Sequence, residues 1–222
     1  MKRRNLASFL VSGLKFTRLK CCAFSTLLVL LLGTGVLASA DPILLNGDFS
    51  TPNQGGGYTY SPTGADWTFA GGSGIQANGS AWGFTSAPVG TQTAFLQGVG
   101  SVSQDITGLV AGQGYTVSFY LEQRPGYGVD PVTVSVGGVN LLSGVDSPAN
   151  WTLYTETFIA TNPTELLNFS TSIPNGPGDY DAGVSGVSVA VAATPEPGSI
   201  ILLGSGLLGL FGAVRRKFGK NI

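Results

Sequence analysis

The chain has 222 residues, with eleven basic residues, twelve acidic residues and no histidine. The missing histidine excludes Ser-His-Asp and Cys-His catalytic groups and histidine-based metal sites. The net charge of −1 hides an uneven distribution: residues 41–194 contain one basic and eleven acidic residues, a net charge of −10. Nucleic acids require a basic surface, so we expect no nucleic-acid partner for this body.

Residues 1–40 have the pattern of a secretory signal peptide. Six basic residues lie within the first twenty positions, and an uncharged run follows that is most apolar at residues 27–32. Ala38-Ser39-Ala40 has the small-x-small pattern of a signal peptidase site. We therefore predict export across the inner membrane and a mature chain that begins at Asp41. An uncleaved N-terminal anchor is the alternative.

Both cysteines of the chain, Cys21 and Cys22, lie inside this signal. They precede the apolar run, whereas a lipoprotein signal would place its cysteine after it. We therefore predict no lipid anchor, and a mature protein without disulfides or cysteine chemistry.

Residues 41–193 are predicted to form one β-sandwich domain. Apolar and polar residues alternate in several short segments, as in half-buried strands. The clearest segments are residues 115–122, 132–136, 153–159 and 187–191, and further strands are expected near 43–46, 94–97, 101–106 and 166–171. Gly- and Pro-rich turns separate them, and no helical crossover is evident. The pattern predicts an all-β, antiparallel fold.

Four segments of the body resemble galactose-binding-like jelly rolls that occur as carbohydrate-binding modules. They are Asn46-Gly47-Asp48-Phe49 and residues 100–106, 114–119 and 151–158, although Gly186 stands where that family often has Asp or Asn. The resemblance implies a jelly-roll sandwich. It also implies a structural calcium near the first and last strands, for which Asp48 and Asp181 are the candidates. Exposed turn acids without a metal are the alternative.

Aromatic rings are the usual platforms for sugars, and the candidate ligand-binding residues are Trp82, Arg124, Tyr127 and Tyr180. Arg124 is the only basic residue of the body and has the fork geometry to bind a hydroxyl or a carboxylate. It is equally suited to neutralise Glu122, Asp130 or Asp179. Core packing is the alternative for Trp82, and we expect it for Trp67 and Trp151. Tyr58 and Tyr60 are further aromatics of this region.

Residues 194–222 form a segment whose pattern is typical of a sorting signal. Pro195-Glu196-Pro197 precedes an apolar run over residues 200–214, and Arg215-Arg216-Lys217 follow at once. Fifteen helical residues span roughly 22 Å, less than the ~30 Å of a bilayer core. We predict a short transmembrane helix that holds the chain transiently.

This order of elements resembles the PEP-CTERM sorting signal of Gram-negative bacteria. The resemblance implies recognition by an exosortase, cleavage close to Pro195-Glu196-Pro197, and a host that makes exopolysaccharide.

Together these features predict a non-catalytic surface or extracellular-matrix protein that is sorted by its tail and associated with exopolysaccharide. If its C-terminus is not processed, it stays anchored in the membrane. A true glycan-binding module with an aromatic and arginine site is the second interpretation. An exported glycoside hydrolase is the third, disfavoured because no carboxylate lies in a recognisable catalytic motif.

Overall fold

The computed structural model describes residues 41–174, 179–193 and 205–206. Residues 41–174 and 179–193 contain strands and loops and no helix. The strands are β1 Tyr58–Tyr60, β2 Thr68–Ala77, β3 Gln92–Thr107, β4 Gly114–Gln123, β5 Gly128–Val129, β6 Val132–Val136, β7 Val139–Val145, β8 Thr152–Ile159, β9 Thr164–Thr171 and β10 Tyr180–Val191.

The strands form two layers that share β2 and β3. Layer A runs β1-β2-β3-β10-β4-β8, and layer B runs β2-β3-β9-β6-β7. The first half of β3 pairs with β10 and the second half with β9. All these pairs are antiparallel, whereas β5 adds a two-residue parallel pair to β10. The predicted all-β, antiparallel jelly-roll sandwich is confirmed.

Strands β2 and β3 pass from one layer to the other at glycine-rich bends. Their pairing register shifts between Gly71 and Ser73. Gly71 has a φ of +65°, and a Cβ at this position would collide with the carbonyl oxygen of Val99. Only glycine tolerates both conditions. The bend therefore requires glycine. Glycines in β2 interrupt the alternation of apolar and polar residues from which a strand can be predicted.

The core between the layers follows the predicted alternation. The inward side chains of β4 and β6 are buried: Tyr115, Val117, Phe119, Leu121, Val132, Val134 and Val136. Phe119 of layer A packs edge-on against Phe169 of layer B, with 5.0 Å between ring centroids. Trp67 is buried beside Phe169, as expected for a core residue, and its Nε1 donates to the carbonyl of Asn46 at 3.0 Å.

Several strand predictions needed correction. Residues 94–97 and 101–106 belong to one continuous strand, β3, because Gly98 and Gly100 let the chain bend without ending its pairing. Residues 43–46 form no strand, only an isolated bridge from Ile43 to Thr107. The side chain of Gln104 accepts from the backbone amide of Leu45 and donates to its carbonyl. It thereby makes the hydrogen bonds that a neighbouring strand would otherwise make.

Apart from Ser205 and Gly206, the predicted signal peptide and the predicted sorting tail lie outside the described residues. This applies to the signal peptide with its Ala38 and Ala40 site, and to the tail with Pro195, Glu196, Pro197, Arg215, Arg216 and Lys217. Of the predicted transmembrane helix, only Ser205 and Gly206 are described, and both are helical. Within the described part of the chain, no helix has the length and apolar character needed to cross a bilayer.

Candidate functional site

A second aromatic cluster lies on the outer face of layer A. Phe95 is buried, yet it sits between Ala94 and Leu96, whose side chains belong to the core. Strand alternation therefore directs Phe95 to the opposite face. The loop between β2 and β3 covers that face with Trp82 and Phe84, and Trp151 packs beside them.

Glycine in the central strand makes room for these rings. A Cβ on Gly183 of β10 would lie 2.7 Å from Trp151 and 2.8 Å from Phe84. Phe84 and Trp151 therefore rest directly on the backbone of the sheet. Trp151 is half-buried here rather than in the main core, and its Nε1 donates to the carbonyl of Thr85 at 3.2 Å.

Four planar groups form a stack on this face, in the order Phe95, Trp82, Arg124 and Tyr127. The Trp82 and Phe95 centroids are 3.8 Å apart, and the Arg124 Cζ lies 4.4 Å from the Trp82 centroid. Two groups this close cannot share one face of the indole, so Phe95 and Arg124 lie on opposite faces. Arg124 Cζ is also 3.7 Å from the Tyr127 ring centroid. The guanidinium is thus held between two rings by cation–π attraction.

The edge of the guanidinium is also engaged. Arg124 Nε donates to the carbonyl of Trp82 at 2.7 Å, Nη2 to that of Ala81 at 3.4 Å, and Nη1 to Asp181 Oδ2 at 3.1 Å. Arg124 and Asp181 are both buried. Burial raises the pKa of Asp181 to about 6, and Arg124 lowers it in part. Arg124 therefore fastens the β2–β3 loop to β4 and β10.

The exposed part of this face is formed by tyrosines. Tyr58, Tyr60 and Tyr127 are 46%, 43% and 39% exposed, whereas Trp82 beneath them is 3% exposed. Tyr58 and Tyr60 project from the same side of β1 and each meets Trp82 edge-on at 6.1 Å. The Tyr60 hydroxyl donates to Gln97 Oε1 at 2.6 Å. We call Tyr58, Tyr60 and Tyr127 the aromatic surface.

The structure thus brings together three of the four candidate ligand-binding residues. Trp82, Arg124 and Tyr127 are in contact, but Trp82 and Arg124 lie beneath the surface. Tyr180 lies at the start of β10 with its ring against Gly128. Tyr58 and Tyr60 are aromatics of the Gly-rich region and were not among the candidate ligand-binding residues predicted from the sequence. Their spacing of two was the available signal, since it places both rings on one face of a strand.

The other buried carboxylate of this face is Glu122. It accepts from the Thr85 hydroxyl at 2.6 Å and from the Thr85 amide at 3.1 Å. Burial raises its pKa, and the two bonds from Thr85 oppose the shift. Glu122 therefore anchors the β2–β3 loop at a second point.

Asp48 and Asp181 do not form one calcium site. Asp48 Oδ1 accepts from the Ser50 amide at 3.2 Å, and the preceding Gly47 carbonyl binds the amide of Val187. Asp181 lies six strand residues before Val187, a separation on the order of 15–20 Å. Among the described residues, no group of three or more acidic side chains is close enough together to hold a metal ion. Calcium binding by either residue alone stays a prediction.

Asp130 is a further buried carboxylate. Neither of its oxygens has a hydrogen-bond partner of correct geometry, and the same holds for Oδ1 of Asp181. Burial raises the pKa of Asp130 to about 7, and the nearby backbone amide of Ile173 opposes the shift in part. At neutral pH Asp130 is therefore partly protonated.

A groove of about 340 Å³ lies on the outer face of layer B. Its lining residues include the exposed Ile43, Leu45 and Leu166 and the carboxylates of Asp66 and Asp105. None of its lining residues is aromatic. The groove and the aromatic surface are thus separate features with different chemistry.

Comparison with known proteins gives one sequence relative and several structural ones. The chain is 31% identical to halomucin of Haloquadratum walsbyi over 97 residues, which is 43% of this chain and 1% of halomucin.

Three carbohydrate-binding modules are similar in structure. For TmCBM61 in complex with β-1,4-galactotriose, the TM-score is 0.47 and the identity 18%, over 67% of this chain and 97% of that module. For the CBM22-1 xylan-binding domain of Paenibacillus barcinonensis Xyn10C, the values are 0.44 and 13%, over 62% and 94%. For a family 35 module of Clostridium thermocellum they are 0.40 and 9%, over 69% and 100%.

The resemblance of the C-terminal segment to the PEP-CTERM sorting signal is confirmed by a family model. Residues 193–217 match the PEP-CTERM protein-sorting motif. This range includes the sequence Pro195-Glu196-Pro197, the apolar run and the basic residues Arg215, Arg216 and Lys217. The chain therefore carries a PEP-CTERM protein-sorting motif at its C-terminal end.

Proposed function

We propose that this protein is an exported, non-catalytic component of the cell surface or extracellular matrix. An exosortase sorts the protein, and its aromatic surface binds a glycan of the exopolysaccharide. The observation that carries the glycan-binding part is the exposure of Tyr58, Tyr60 and Tyr127 around one buried stack. Sugar rings present flat C–H faces, and a rigid aromatic surface with hydroxyl groups matches them.

The support beneath the aromatic surface favours binding over catalysis. Asp181 is paired with Arg124 through Oδ2 and Glu122 is bound by Thr85, so these two buried carboxylates take part in structural contacts. A glycosidase needs two carboxyl groups that reach the scissile bond. The hydrolase interpretation therefore has no pair of free acids on this face among the described residues.

Export and sorting form the other part of the proposal. The sorting motif at residues 193–217 and the signal pattern at residues 1–40 support passage through signal peptidase and then exosortase. The acidic body, with a single basic residue, suits a protein that stays soluble in an extracellular layer.

Affinity electrophoresis tests the binding part. Purified protein is run through native gels that contain purified exopolysaccharide of the host, with plain gels as the reference. We expect retarded migration that increases with polysaccharide concentration. Unchanged migration with every polysaccharide would contradict glycan binding and leave a matrix protein without a glycan site.

A further inference from the structure

The single cation near the aromatic surface has little capacity left for a ligand. Arg124 is the only basic residue between positions 41 and 194. Its Nε, Nη1 and Nη2 donate to Trp82, Asp181 and Ala81, and its Cζ lies over the rings of both Trp82 and Tyr127. Its positive charge is therefore paired inside the protein with the carboxylate of Asp181.

Acidic side chains lie near the exposed hydroxyl of Tyr60. This hydroxyl donates to Gln97, which lies opposite Asp181 in the pairing of β3 with β10, and Asp179 precedes Asp181 by two residues. Burial raises the pKa of Tyr60, and the negative charges of Asp181 and Asp179 raise it further, while Arg124 lowers it. Acidic groups thus predominate at the point where a ligand would meet Tyr60. A carboxylate or sulfate brought to this place would be repelled and would find no free cation.

We propose that the aromatic surface selects uncharged glycans and rejects glycans that carry carboxylate or sulfate groups. This inference rests on the proposed glycan binding and adds the chemical class of the ligand. Recognition then depends on the flat faces of sugar rings and on neutral hydrogen bonds from the tyrosine hydroxyls and Gln97.

The test uses full-length protein on an array of neutral and acidic glycans, in buffer with EDTA to remove divalent bridges. Site-specific binding is the signal of the wild type minus that of the Tyr58→Ala/Tyr60→Ala variant. This subtraction removes any attraction of acidic glycans to the basic residues of the termini. The best neutral glycan is then oxidised so that its primary hydroxyls become carboxylates, and both forms are compared by titration.

We expect site-specific binding of neutral glycans only, and at least tenfold weaker binding of the oxidised form. The difference in affinity between the neutral and the oxidised glycan should become smaller in 0.5 M NaCl, where charges are screened, and in an Asp179→Asn variant. Site-specific binding of acidic glycans, or a loss on oxidation that salt does not narrow, would overturn the inference. No site-specific binding of any glycan would instead overturn the proposed function.

Discussion

At the scale of single residues, Arg124 holds the face together from several directions. Its guanidinium joins the β2–β3 loop through Trp82, β10 through Asp181 and the β4–β5 turn through Tyr127. The sequence showed that Arg124 is the only cation of the body. It did not show which acid would be its partner, since Glu122, Asp130 and Asp179 are nearer in sequence or equally acidic. The choice of Asp181 follows from sheet order, in which β10 lies beside β4.

Replacing Arg124 by alanine leaves Asp181 buried without its partner. We expect a loss of about 3 kcal/mol in the free energy of unfolding at pH 8. The loss should be smaller at pH 5, because a carboxyl group whose pKa is raised takes up a proton there and no longer carries a buried charge. Urea unfolding followed by tryptophan fluorescence measures both values. An Arg124→Ala/Asp181→Asn double variant is the control: it has no carboxylate to leave unpaired, so its loss should not be larger at pH 8 than at pH 5. An equal loss for Arg124→Ala at both pH values would refute this role of the ion pair.

Asp130 makes stability depend on pH in a defined direction. Its pKa is about 7 in the folded protein and 3.8 in the unfolded chain, so between these values the folded state binds more protons. The free energy of unfolding must therefore fall as pH rises from about 4 to about 7. We expect Asp130→Asn to reduce this fall, because Asp181 and Glu122 with their raised pKa values still contribute to it, and to be more stable than wild type at pH 8 by about 2–4 kcal/mol.

The matched control for this measurement is Asp146→Asn, since Asp146 is exposed. Thermal or urea unfolding at pH 4.5 and pH 8 compares the three proteins. If Asp130→Asn and Asp146→Asn respond to pH alike, the burial of Asp130 has no effect on its ionisation.

At the scale of elements, the alternation of apolar and polar residues was sufficient to predict a strand where one face of that strand is exposed to solvent. It identified β4 and β6, whose buried residues are those predicted. It failed for β2, which bends between layers at Gly71. It also gave no signal for β7, where Val139 is exposed and Leu141 and Leu142 only partly buried. For the candidate site, the sequence indicated Trp82, Arg124 and Tyr127, but their stacking order depends on contacts between distant segments.

Gly183 tests whether the second aromatic cluster rests on the sheet. Gly183→Ala would force Trp151 and Phe84 away from β10, and overpacking of this kind costs about 1–3 kcal/mol. Tryptophan emission should shift to longer wavelength as Trp151 moves into water. Gly114→Ala is the control within another strand, because its nearest contact would be an ordinary 3.5 Å to Ala192. Equal stability and emission in both variants would show that the rings do not press on Gly183.

At the scale of the whole molecule, the chain combines a β-sandwich body with a sorting motif at residues 193–217. The charge distribution was readable from the sequence: ten of the eleven basic residues lie before residue 21 or after residue 214. The acidic body and the sorting motif at residues 193–217 both suit a protein that works outside the cell. The aromatic surface could not be predicted without the fold, since Tyr58 and Tyr60 reach Trp82 only after β1 has paired with β2, and Tyr127 reaches the same stack through Arg124.

Sorting is tested in the producing cells. We expect a Pro195→Ala/Glu196→Ala/Pro197→Ala variant to accumulate at higher molecular mass in the membrane fraction, whereas the wild type is shortened and leaves that fraction. Immunoblots of membrane and extracellular fractions show both forms. A Thr194→Ala variant, which keeps Pro195-Glu196-Pro197, is the control. Normal shortening of the triple variant would contradict exosortase cleavage at this place.

The most direct test of the central claim is a calorimetric titration of the protein with the glycan that retards it most in native gels. We predict at least tenfold weaker affinity for Tyr58→Ala/Tyr60→Ala. We predict unchanged affinity for Val139→Ala, which removes an exposed apolar side chain from β7 at the far edge of layer B. Circular dichroism establishes that both variants are folded. Unchanged affinity in the tyrosine variant would contradict the assignment of glycan binding to the aromatic surface.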